Sequence, residues 1–430
     1  MTHGGVSNRI EFNGDALFME VKKTELVCPA GNWNSLITAI ESGADAVYFG
    51  VKGVNMRAAA SNFDRLQIKK IMEYLHEKKR KGYLALNVIV MENELKKIKD
   101  ILKMAKDASV DAVILWDMAA LSIAKDLGLN IHISTQASIS NFDALKMYSK
   151  LGAERAVLAR ELTLNEIREI VKKIDVEKIP VEIETFIHGA MCVSISGRCF
   201  LSSYSWGKSA NRGECRQSCR REYEITDRTG EAKYILGKDY ILSPKDLNTI
   251  GFIDELIESG IHSFKIEGRM RSAEYVKEVV SSYREAIDLF FEKKLNEDKK
   301  KEFNRRLSSV YNRGFSDGFY FGEPENWKTK KLENKYEKVF VGEVTNYYKN
   351  ISVAEILIRS SKLSKGDRLF ITGKNTPSDF AVAKELQQEH KNVEEAVKGE
   401  RVGVKLPFKV RRKDQVFIWR EKIAPGRERP

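Results

Sequence analysis

The chain has 430 residues, of which 42% are hydrophobic, and it carries a formal net charge of +12 at pH 7. This length and composition support a large buried core and predict two domains. The N-terminus has no apolar stretch typical of a secretory signal, and no segment approaches the roughly 18–20 uninterrupted apolar residues that a membrane span requires. We therefore expect a cytoplasmic protein without membrane-spanning segments.

Residues 1–23 are predicted to be an N-terminal extension, and residues 24–294 to form repeated βα units. Short apolar, β-branched runs alternate in this region with amphipathic stretches of helical period. Eight candidate strands begin at Glu25, Ala46, Gly82, Asp111, Asn130, Arg155, Pro180 and Ser263. Helices are predicted at 64–80, 92–108, 142–151, 164–174 and 273–291. Eight apolar strands over about 270 residues favour a closed (β/α)8 TIM-like barrel. An open doubly wound sheet is the alternative.

Most of the predicted strands end in polar or glycine residues. In a parallel barrel these ends meet at one rim, where active sites of this fold are built. The strand-end residues are Gly31, Asn32, Gly50, Asn87, Asp117, Gln136, Arg160, Glu161, His188, Glu267 and Arg269. A single polar strand end is usually a turn or a helix cap, but several at one rim indicate a binding site. The candidate substrate-binding residues are Asn87, Gln136, Arg160, Lys265, Glu267 and Arg269.

Four of the five cysteines are gathered within 28 residues, at Cys192, Cys199, Cys215 and Cys219. Without a secretory signal, gathered thiols are more typical of a soft metal centre than of disulfides. The insertion that holds them, residues 188–221, follows the seventh predicted strand and is expected to cover the barrel mouth. Their spacing leaves three interpretations open, namely an iron–sulfur cluster, a zinc ion, and free or redox thiols. The fifth, Cys28, is predicted to be a small buried core residue.

Further chemical groups lie close to the cysteines. Glu184 and His188 are four residues apart on the seventh strand, so they are predicted to face the same side and are candidates for a catalytic acid/base pair. The alternative is that they satisfy buried backbone groups. Positive charge also gathers there, at Arg212, Arg216, Arg220 and Arg221. These guanidinium groups would balance an anionic cluster or attract a carboxylate or phosphate, unless they are simply solvated.

Motif searches remove several classes of enzyme. No G-x-S-x-G, P-loop or G-x-G-x-x-G pattern occurs in the sequence. Serine hydrolases, P-loop NTPases and dinucleotide-dependent enzymes therefore lose support. A cysteine protease would need one thiol with a partner histidine, for which Cys192 near His188 is a candidate pair.

The composition and the hydrophobic pattern change near the end of the chain. Residues 295–337 are predicted to form a connector that starts with a charged, solvated helix end or linker and packs back through its aromatics. From Lys338, short alternating strands predict a small all-β barrel.

Residues 328–430 carry 24 Lys and Arg against 14 Asp and Glu. This excess favours a polyanion such as RNA, gripped by Arg411, Arg412 and Lys413 among others; a solvated Lys-rich surface is the alternative.

The cysteine window resembles the peptidase U32 family over a long motif. The matching residues are ETFIHGAMCVSISGRCFLSS, from Glu184, and NRGECRQSCR, from Asn211. Similar stretches begin at Cys28 (CPAGNWNSLITAIESGADAVYFG), Ile133 (ISTQASISN) and Phe264 (FKIEGRMRSAEYV). The resemblance covers nearly the whole chain, including a C-terminal β-barrel similar to domain II of translation elongation factors. Position 28 departs from the family, which commonly has alanine there.

The resemblance implies two kinds of activity. The family name implies proteolysis, and some members are described as collagenases. Better-defined members imply oxygen-independent hydroxylation of the tRNA wobble uridine, of a ribosomal RNA cytidine and of ubiquinone precursors. Those reactions depend on prephenate and on a 4Fe–4S cluster. The ligands that the resemblance implies are Cys192, Cys199, Cys215 and Cys219.

The predicted function is therefore iron–sulfur-dependent, prephenate-dependent hydroxylation of tRNA wobble uridine to 5-hydroxyuridine. Arg160, Lys265 and Arg269 would hold the carboxylates of a prephenate-like donor, or would instead form structural ion pairs with Glu161 or Glu267. A U32-type peptidase is one alternative, and an RNA-binding scaffold with a structural metal is another. A partner protein of the same family is a further possibility that the sequence leaves open.

Overall fold

The computed structural model describes residues 6–12, 15–21, 23–57, 61–230, 233–236, 239–324, 328–330 and 336–422. The predicted N-terminal extension contains a hairpin in which Val6–Phe12 pairs antiparallel with Asp15–Val21. Most of the remaining described residues form a parallel barrel followed by an antiparallel C-terminal domain. Two small antiparallel sheets lie outside both, one of Tyr223–Thr226 with Lys233–Leu236 and one of Asp239–Pro244 with Lys328–Lys330.

Eight parallel strands form a closed barrel. Their bounds are β1 Glu25–Ala30, β2 Ala46–Gly50, β3 Lys81–Ala85, β4 Ala112–Leu115, β5 Ile131–Ile133, β6 Ala153–Val157, β7 Glu182–Ala190 and β8 Ser263–Ile266. Each strand pairs with the next, and β8 also pairs with β1. That last pairing closes the sheet, so the (β/α)8 prediction is confirmed and the open sheet is excluded.

Helices follow the strands and cover the barrel. Their bounds are α1 Trp33–Glu41, α2 Ile68–Glu77, α3 Leu95–Asp107, α4 Met118–Asp126, α5 Phe142–Lys150, α6 Leu164–Glu177, α7 Leu201–Trp206, α8 Ile253–Glu258, α9 Ala273–Phe291 and α10 Glu297–Ser309. In α2 the buried residues Ile68, Ile71, Met72 and Leu75 recur at helical spacing, as an amphipathic helix on a core requires. Within the described ranges, no helix has the length and hydropathy needed to cross a bilayer.

Two of the polar strand ends are helix caps. The Asn32 side chain accepts a hydrogen bond from the backbone N–H of Ser35 at 2.9 Å, at the start of α1. Asp117 accepts from the backbone N–H of Ala119 at 3.0 Å, at the start of α4. A side-chain oxygen at this position satisfies an N–H that has no partner within the helix. At these two positions the alternative interpretation, a cap, is what the structure shows.

The charged run that the sequence analysis assigned to a solvated helix end or linker is a packed helix. Helix α10 begins after Asn296, whose side chain accepts from the backbone N–H of Lys299 at 3.0 Å. Phe303 and Leu307 are fully buried on its inner face, where it contacts α9. The two apolar residues lie four positions apart and form a narrow stripe, which the surrounding lysines and glutamates concealed in the sequence. Further along the connector, Tyr320 donates its hydroxyl to the Phe186 carbonyl at 2.8 Å.

The C-terminal domain is an eight-stranded antiparallel sheet around its own apolar core. Its strands are Tyr336–Tyr348, Val353–Ile358, Arg368–Thr372, Asp379–Val382, Leu386–Gln388, Lys391–Val393, Arg401–Lys405 and Gln415–Glu421. The all-β prediction is confirmed. Among the described pairings, none joins the two outermost strands, Asp379–Val382 and Lys391–Val393.

This domain packs against the side of the barrel where β1 and β8 meet. The Asn34 side chain, in the first turn of α1, donates to the carbonyls of Gly373 and Thr376 at 2.6 and 3.1 Å. Phe370 and Trp419 are buried in the same apolar cluster as the barrel helices. Because α1 begins at the C-terminal end of β1, the loop around Gly373 lies near the rim of the barrel mouth.

Candidate functional site

A cavity of about 230 Å³ lies at the C-terminal ends of the barrel strands. The strand side of its lining includes Tyr48, Asn87, Gln136, Glu161, Arg160, Phe186, Lys265, Glu267 and Arg269. The side formed by the insertion includes Cys192, Ser194, Ser196, Cys199, Cys215, Ser218 and Cys219. The fold thus gathers all six candidate substrate-binding residues and all four clustered cysteines around one space.

The four cysteines at the cavity are free thiols. Burial raises the pKa of Cys219, the neighbouring Arg220 opposes this rise, and the thiols of Cys192, Cys215 and Cys199 then add to it. The electrostatic influence of the other three cysteines on Cys219 is expected of sulfurs that lie near one another. Four thiolates in such a group repel one another unless a cationic centre neutralises them.

The donor set, four cysteine sulfurs around one cavity, matches the ligand set of an iron–sulfur cluster. Among the described residues, no three His, Cys, Asp or Glu side chains are arranged to hold one metal ion. The thiolates of a cluster bind different iron atoms, so they are spaced more widely than the ligands of one zinc. Backbone N–H groups also point at the sulfurs: Leu201 donates to Cys199 Sγ at 3.3 Å and Gln217 to Cys215 Sγ at 3.4 Å. Such N–H contacts tune cluster sulfurs.

One arginine of the insertion ties it to the barrel, and another ties the two ends of the insertion together. Arg212 makes a bidentate ion pair with Glu94, with both N–O distances at 2.6 Å, and this hydrogen bonding lowers the pKa of Glu94 to about 2. Arg220 donates to the carbonyl of Met191. Arg216 and Arg221 are exposed, and the Arg221 guanidinium lies 4.4 Å from the centroid of a tryptophan ring. The first two arginines therefore position the cysteines, and the other two are available at the surface.

Arg269 is a buried cation with unused donors. Its residue is 5% exposed, and its Nε and Nη1 atoms have no hydrogen-bond partner among the described residues. Burial, with a contribution from Arg57, lowers the pKa of Arg269 to about 10. Its guanidinium lies 5.7 Å from the centroid of the Tyr48 ring and borders the cavity. A buried charge without hydrogen-bond partners is energetically costly. An anion that enters the cavity would therefore be bound favourably by the Nε and Nη1 donors of Arg269.

Arg57 is a site residue that the sequence analysis missed. It lies in the loop after β2, lines the cavity, and donates from Nε to Glu267 Oε1 at 3.2 Å. Burial opposes ionisation of Glu267, but Arg57, Arg160 and Arg269 lower the pKa of that carboxyl. Glu267 thus takes Arg57 as its hydrogen-bonded partner. The only signal for Arg57 was a cation shortly after a barrel strand, which is too common to be specific.

Lys265 and Glu184 form an ion pair below the cavity. Lys265 Nζ lies 2.6 Å from Glu184 Oε1, and Ser263 donates to Oε2 of the same carboxylate at 2.8 Å. Burial opposes ionisation of Glu184, which is 1% exposed, but Lys265 and Arg155 prevail and lower its pKa to about 2. A carboxylate held ionised at neutral pH does not exchange protons readily. The position of Glu184 supports a role as a structural counterion for Lys265 and not the predicted acid/base role.

His188 does not face the same side as Glu184, contrary to the sequence-based expectation. In the β7–β8 pairing, Phe186 lies opposite Lys265 but His188 lies opposite the next residue, Ile266, so β7 carries one extra residue. Such a bulge reverses the alternation of side chains. The His188 ring is 2% exposed, its Nδ1 lies 3.3 Å from Tyr283 Oη, and burial lowers its pKa to about 3. It packs as a neutral ring against α9, away from the cavity.

The remaining candidates lie where they were expected. Asn87 donates to Gln136 Oε1 at 3.2 Å, which ties two neighbouring strand ends together. Arg160 donates to the Ala190 carbonyl at 2.8 Å, and its guanidinium stacks 3.8 Å from the centroid of the Phe186 ring. These contacts hold the three side chains at the cavity wall.

Cys28 is fully buried and belongs to the apolar cluster that includes the barrel helices. Burial raises the pKa of its thiol. On β1, Val27 belongs to the cluster of apolar side chains inside the barrel, so alternation directs Cys28 to the opposite, helix-facing side. This placement agrees with a core residue and keeps Cys28 apart from the other four thiols.

Comparison with known proteins identifies the family. The sequence model of peptidase family U32 matches residues 31–330. A Methanocaldococcus jannaschii protein named as an uncharacterized protease is 45% identical over 407 residues, which is 93% of this chain and 99% of that protein. A Porphyromonas gingivalis collagenase is 38% identical over 93% of this chain and 98% of its own length. A Bacillus subtilis protein named tRNA hydroxylation protein P1 is 37% identical over 82% of this chain and 84% of its own length. The chain belongs to peptidase family U32.

Proposed function

We propose that this chain is an enzyme that hydroxylates the wobble uridine of tRNA, with a 4Fe–4S cluster on its four clustered cysteines and a prephenate-like dicarboxylate as oxygen donor. One observation carries the proposal: four free thiols border the same cavity as Arg269, whose Nε and Nη1 atoms have no hydrogen-bond partner among the described residues. The name of the Bacillus subtilis relative supports RNA hydroxylation as the reaction class.

The cavity is suited to anions. Its lining carries four cations, Arg57, Arg160, Lys265 and Arg269, against the two carboxylates Glu161 and Glu267. The excess of positive charge would attract an anionic cluster and a carboxylate donor, in a space where water screens the charges poorly. Arg269 has the free donors, Lys265 is held in place by its ion pair, and Arg160 is held by stacking. In this proposal Arg269 binds a donor carboxylate directly.

When bound, the cluster would supply electron transfer or activate the oxygen donor, chemistry that no protein side chain performs. The chain's own residues orient the reactants and exclude water. Asn87 and Gln136 present amide groups at the wall, which suit the polar edges of a uracil ring. The insertion covers the strand ends, and Glu161 holds it there by accepting a hydrogen bond from the backbone N–H of Ser196 at 3.2 Å.

The basic C-terminal domain would bind the tRNA backbone. Arg412 and Lys413 are exposed in the turn before the last strand, whereas Arg411 donates to the Thr376 hydroxyl at 3.1 Å. The loop that contains Thr376 contacts α1 near the barrel rim. Phosphate contacts made there would help to direct RNA toward the cavity, and such binding should weaken steeply as salt rises.

The first experiment tests the cofactor. The protein is purified anaerobically, and iron and acid-labile sulfide are measured together with zinc. We expect iron and sulfide near four of each per chain, and a large loss of both in Cys192→Ser, Cys199→Ser, Cys215→Ser and Cys219→Ser. Cys28→Ala is the matched control, because that thiol is buried in the apolar core and should leave iron unchanged. Zinc without sulfide would overturn the assignment.

The second experiment tests the reaction. Wobble-position nucleosides are analysed in tRNA from cells that lack the gene and from cells that express Arg269→Met. We expect 5-hydroxyuridine to disappear in the first and to fall strongly in the second. Unchanged hydroxylation in cells without a redundant homologue would contradict the proposal.

A peptidase is the second candidate function, because the relatives include a named collagenase. A thiol peptidase would cleave peptides after iron is removed by chelation and would lose activity on Cys192→Ala. The predicted partner His188 packs against α9 and does not line the cavity that Cys192 borders. A pure protein that binds tRNA but modifies nothing would instead indicate a scaffold with a structural metal.

A further inference from the structure

The insertion displays three large aromatic side chains to solvent. Phe200, Tyr204 and Trp206 are 77%, 91% and 50% exposed, although burial of such rings normally stabilises a fold. They lie on and beside the short helix α7, between Cys199 and Cys215. Exposed rings grouped within seven residues are unusual on the surface of a soluble domain and indicate a binding surface.

The backbone that carries these rings is held firmly. Ser202, on the inner side of α7, is 2% exposed and accepts a hydrogen bond from the backbone N–H of Arg216 at 2.9 Å. Cys199 receives the N–H of Leu201 at its sulfur. The rings are therefore displayed from an anchored turn beside the cavity, and loose packing does not explain their exposure.

Positive charge surrounds the rings. Residues 195–223 contain six Lys and Arg against two Asp and Glu, and Arg198, Arg216 and Arg221 are exposed. The Arg221 guanidinium lies 4.4 Å from the centroid of the Trp206 ring. Aromatic rings interleaved with arginines are the chemistry that binds single-stranded nucleic acid, because bases stack on the rings while guanidinium groups neutralise phosphates. A purely apolar partner would gain little from these charges.

We propose that Phe200, Tyr204 and Trp206 stack on unpaired bases of the RNA substrate next to the nucleotide that enters the cavity. This inference rests on the proposed function, which names RNA as the substrate. A base buried in a helical stack does not reach a cavity at a barrel mouth, so the target must leave its stack. The three aromatic rings would replace the stacking that the bases next to the target nucleotide lose.

Binding of labelled RNA to the anaerobically purified holoprotein tests this inference by fluorescence anisotropy. The probes are an RNA hairpin with an unpaired, uridine-containing loop and a blunt duplex of the same composition. We expect Tyr204→Ala and Trp206→Ala each to weaken hairpin binding about tenfold and to leave duplex binding unchanged. Tyr204→Phe should bind like the unmodified chain, whereas Tyr204→Leu, which keeps apolar area but not the ring, should bind like Tyr204→Ala.

Control substitutions keep the test informative. Met147→Ala removes an exposed apolar side chain on α5, 56% exposed and outside the insertion, and should not change binding. Iron content is measured for every variant, so that a disrupted insertion is recognised. Because Tyr204 is 91% exposed, its replacement removes little packing.

Three results would overturn the inference: equal hairpin affinity for Tyr204→Ala and the unmodified chain, equal affinity for Tyr204→Leu and Tyr204→Phe, or ring-dependent self-association of the protein in sedimentation. Failure of the proposed function looks different. A chain that binds the hairpin through its rings but never hydroxylates it would contradict the proposed function alone. A chain that hydroxylates RNA with ring-independent affinity would contradict this inference alone.

Discussion

Lys265 and Glu184 pair inside the barrel, with Lys265 Nζ 2.6 Å from Glu184 Oε1 and side chains only 6% and 1% exposed. They lie on the neighbouring strands β8 and β7. Arg155 approaches the other oxygen of Glu184 at 3.4 Å from below. Barrel interiors of this fold are normally filled by branched apolar residues. Here the side chains of Arg155, Glu184 and Lys265 form a series of paired charges inside the barrel. This series holds the Lys265 ammonium group at the bottom of the cavity.

Replacing Glu184 with Gln should destabilise the fold by about 3–5 kcal/mol near neutral pH, because Lys265 and Arg155 would keep buried charges with less compensation. Urea unfolding measures this loss. The control is Glu182→Gln: its carboxylate pairs with Arg155 at 2.5 Å but is 49% exposed, so less than about 1 kcal/mol is expected.

The same pair predicts a pH dependence. The pKa of Glu184 is lowered from 4.5 in the unfolded chain to about 2 in the fold. The stability that this ionisation contributes is therefore present above about pH 4.5 and is lost as the pH falls toward 2. Unfolding curves of the Glu184→Gln variant should fall less steeply in that window. Parallel curves for both proteins would contradict the prediction.

His188→Phe should make the protein less sensitive to mild acid. The fold lowers the pKa of His188 from 6.5 to about 3. Below pH 6.5 the unfolded chain therefore binds a proton at His188 that the folded chain does not bind. The free energy of unfolding falls as the pH falls below 6.5. Between about pH 7 and pH 5 this loss amounts to roughly 2 kcal/mol. Tyr283 donates to the Ile187 carbonyl at 3.0 Å, a bond that does not involve the His188 side chain, so its hydroxyl should keep a partner in the variant. Thermal unfolding at both pH values measures the difference.

The same variant tests the catalytic role expected from the sequence. Because the His188 ring does not line the cavity, the hydroxylation activity proposed above should stay within about twofold of the unmodified chain in His188→Phe. A fall of about 100-fold or more, the typical size of a lost general acid or base, would restore the acid/base assignment.

Arg269→Met should weaken ligand binding without weakening the fold. The substitution removes two buried donors that have no partner in the described part of the chain, so the free energy of unfolding should stay level or rise. Loss of a charge-assisted bond should lower the affinity for a dicarboxylate donor by about tenfold or more, measured by calorimetry. Lys265→Met is the contrast: it leaves Glu184 with less compensation, so it should destabilise strongly. A strongly destabilised Arg269→Met would show that Arg269 is structural.

Gly50→Ala should displace the Arg269 side chain by direct contact. A Cβ added at Gly50 would lie 2.4 Å from Arg269 Nη1 and 2.8 Å from Asn55 Cγ, so the guanidinium must move. We expect a several-fold loss of donor affinity and a destabilisation of about 1–3 kcal/mol. Gly251→Ala is the matched control, because nothing lies within 4 Å of its added Cβ. Donor binding equal to that of the unmodified chain would show that the Arg269 position does not depend on Gly50.

Local patterns were enough to predict much of this molecule. Apolar runs located the eight barrel strands, since a strand buried on both faces needs apolar residues at most positions. Helix α9 has the predicted bounds, 273–291, because its apolar stripe recurs over nineteen residues. The gathering of four cysteines in one insertion was also visible, because the insertion is continuous in sequence.

Partnerships between distant residues were decided by the tertiary structure alone. Lys265 pairs with Glu184, and two nitrogens of Arg269 have no hydrogen-bond partner in the described part of the chain, although the sequence offered Glu161 and Glu267 to both cations. The bulge that turns His188 out of the barrel exists only in the pairing of β7 with β8, whose residues are separated by about eighty positions in the chain. The periodicity of a sequence indicates which face of a strand is apolar. A register shift and the choice of an ion-pair partner depend instead on which strand lies alongside. The neighbouring strand is fixed only when the barrel closes.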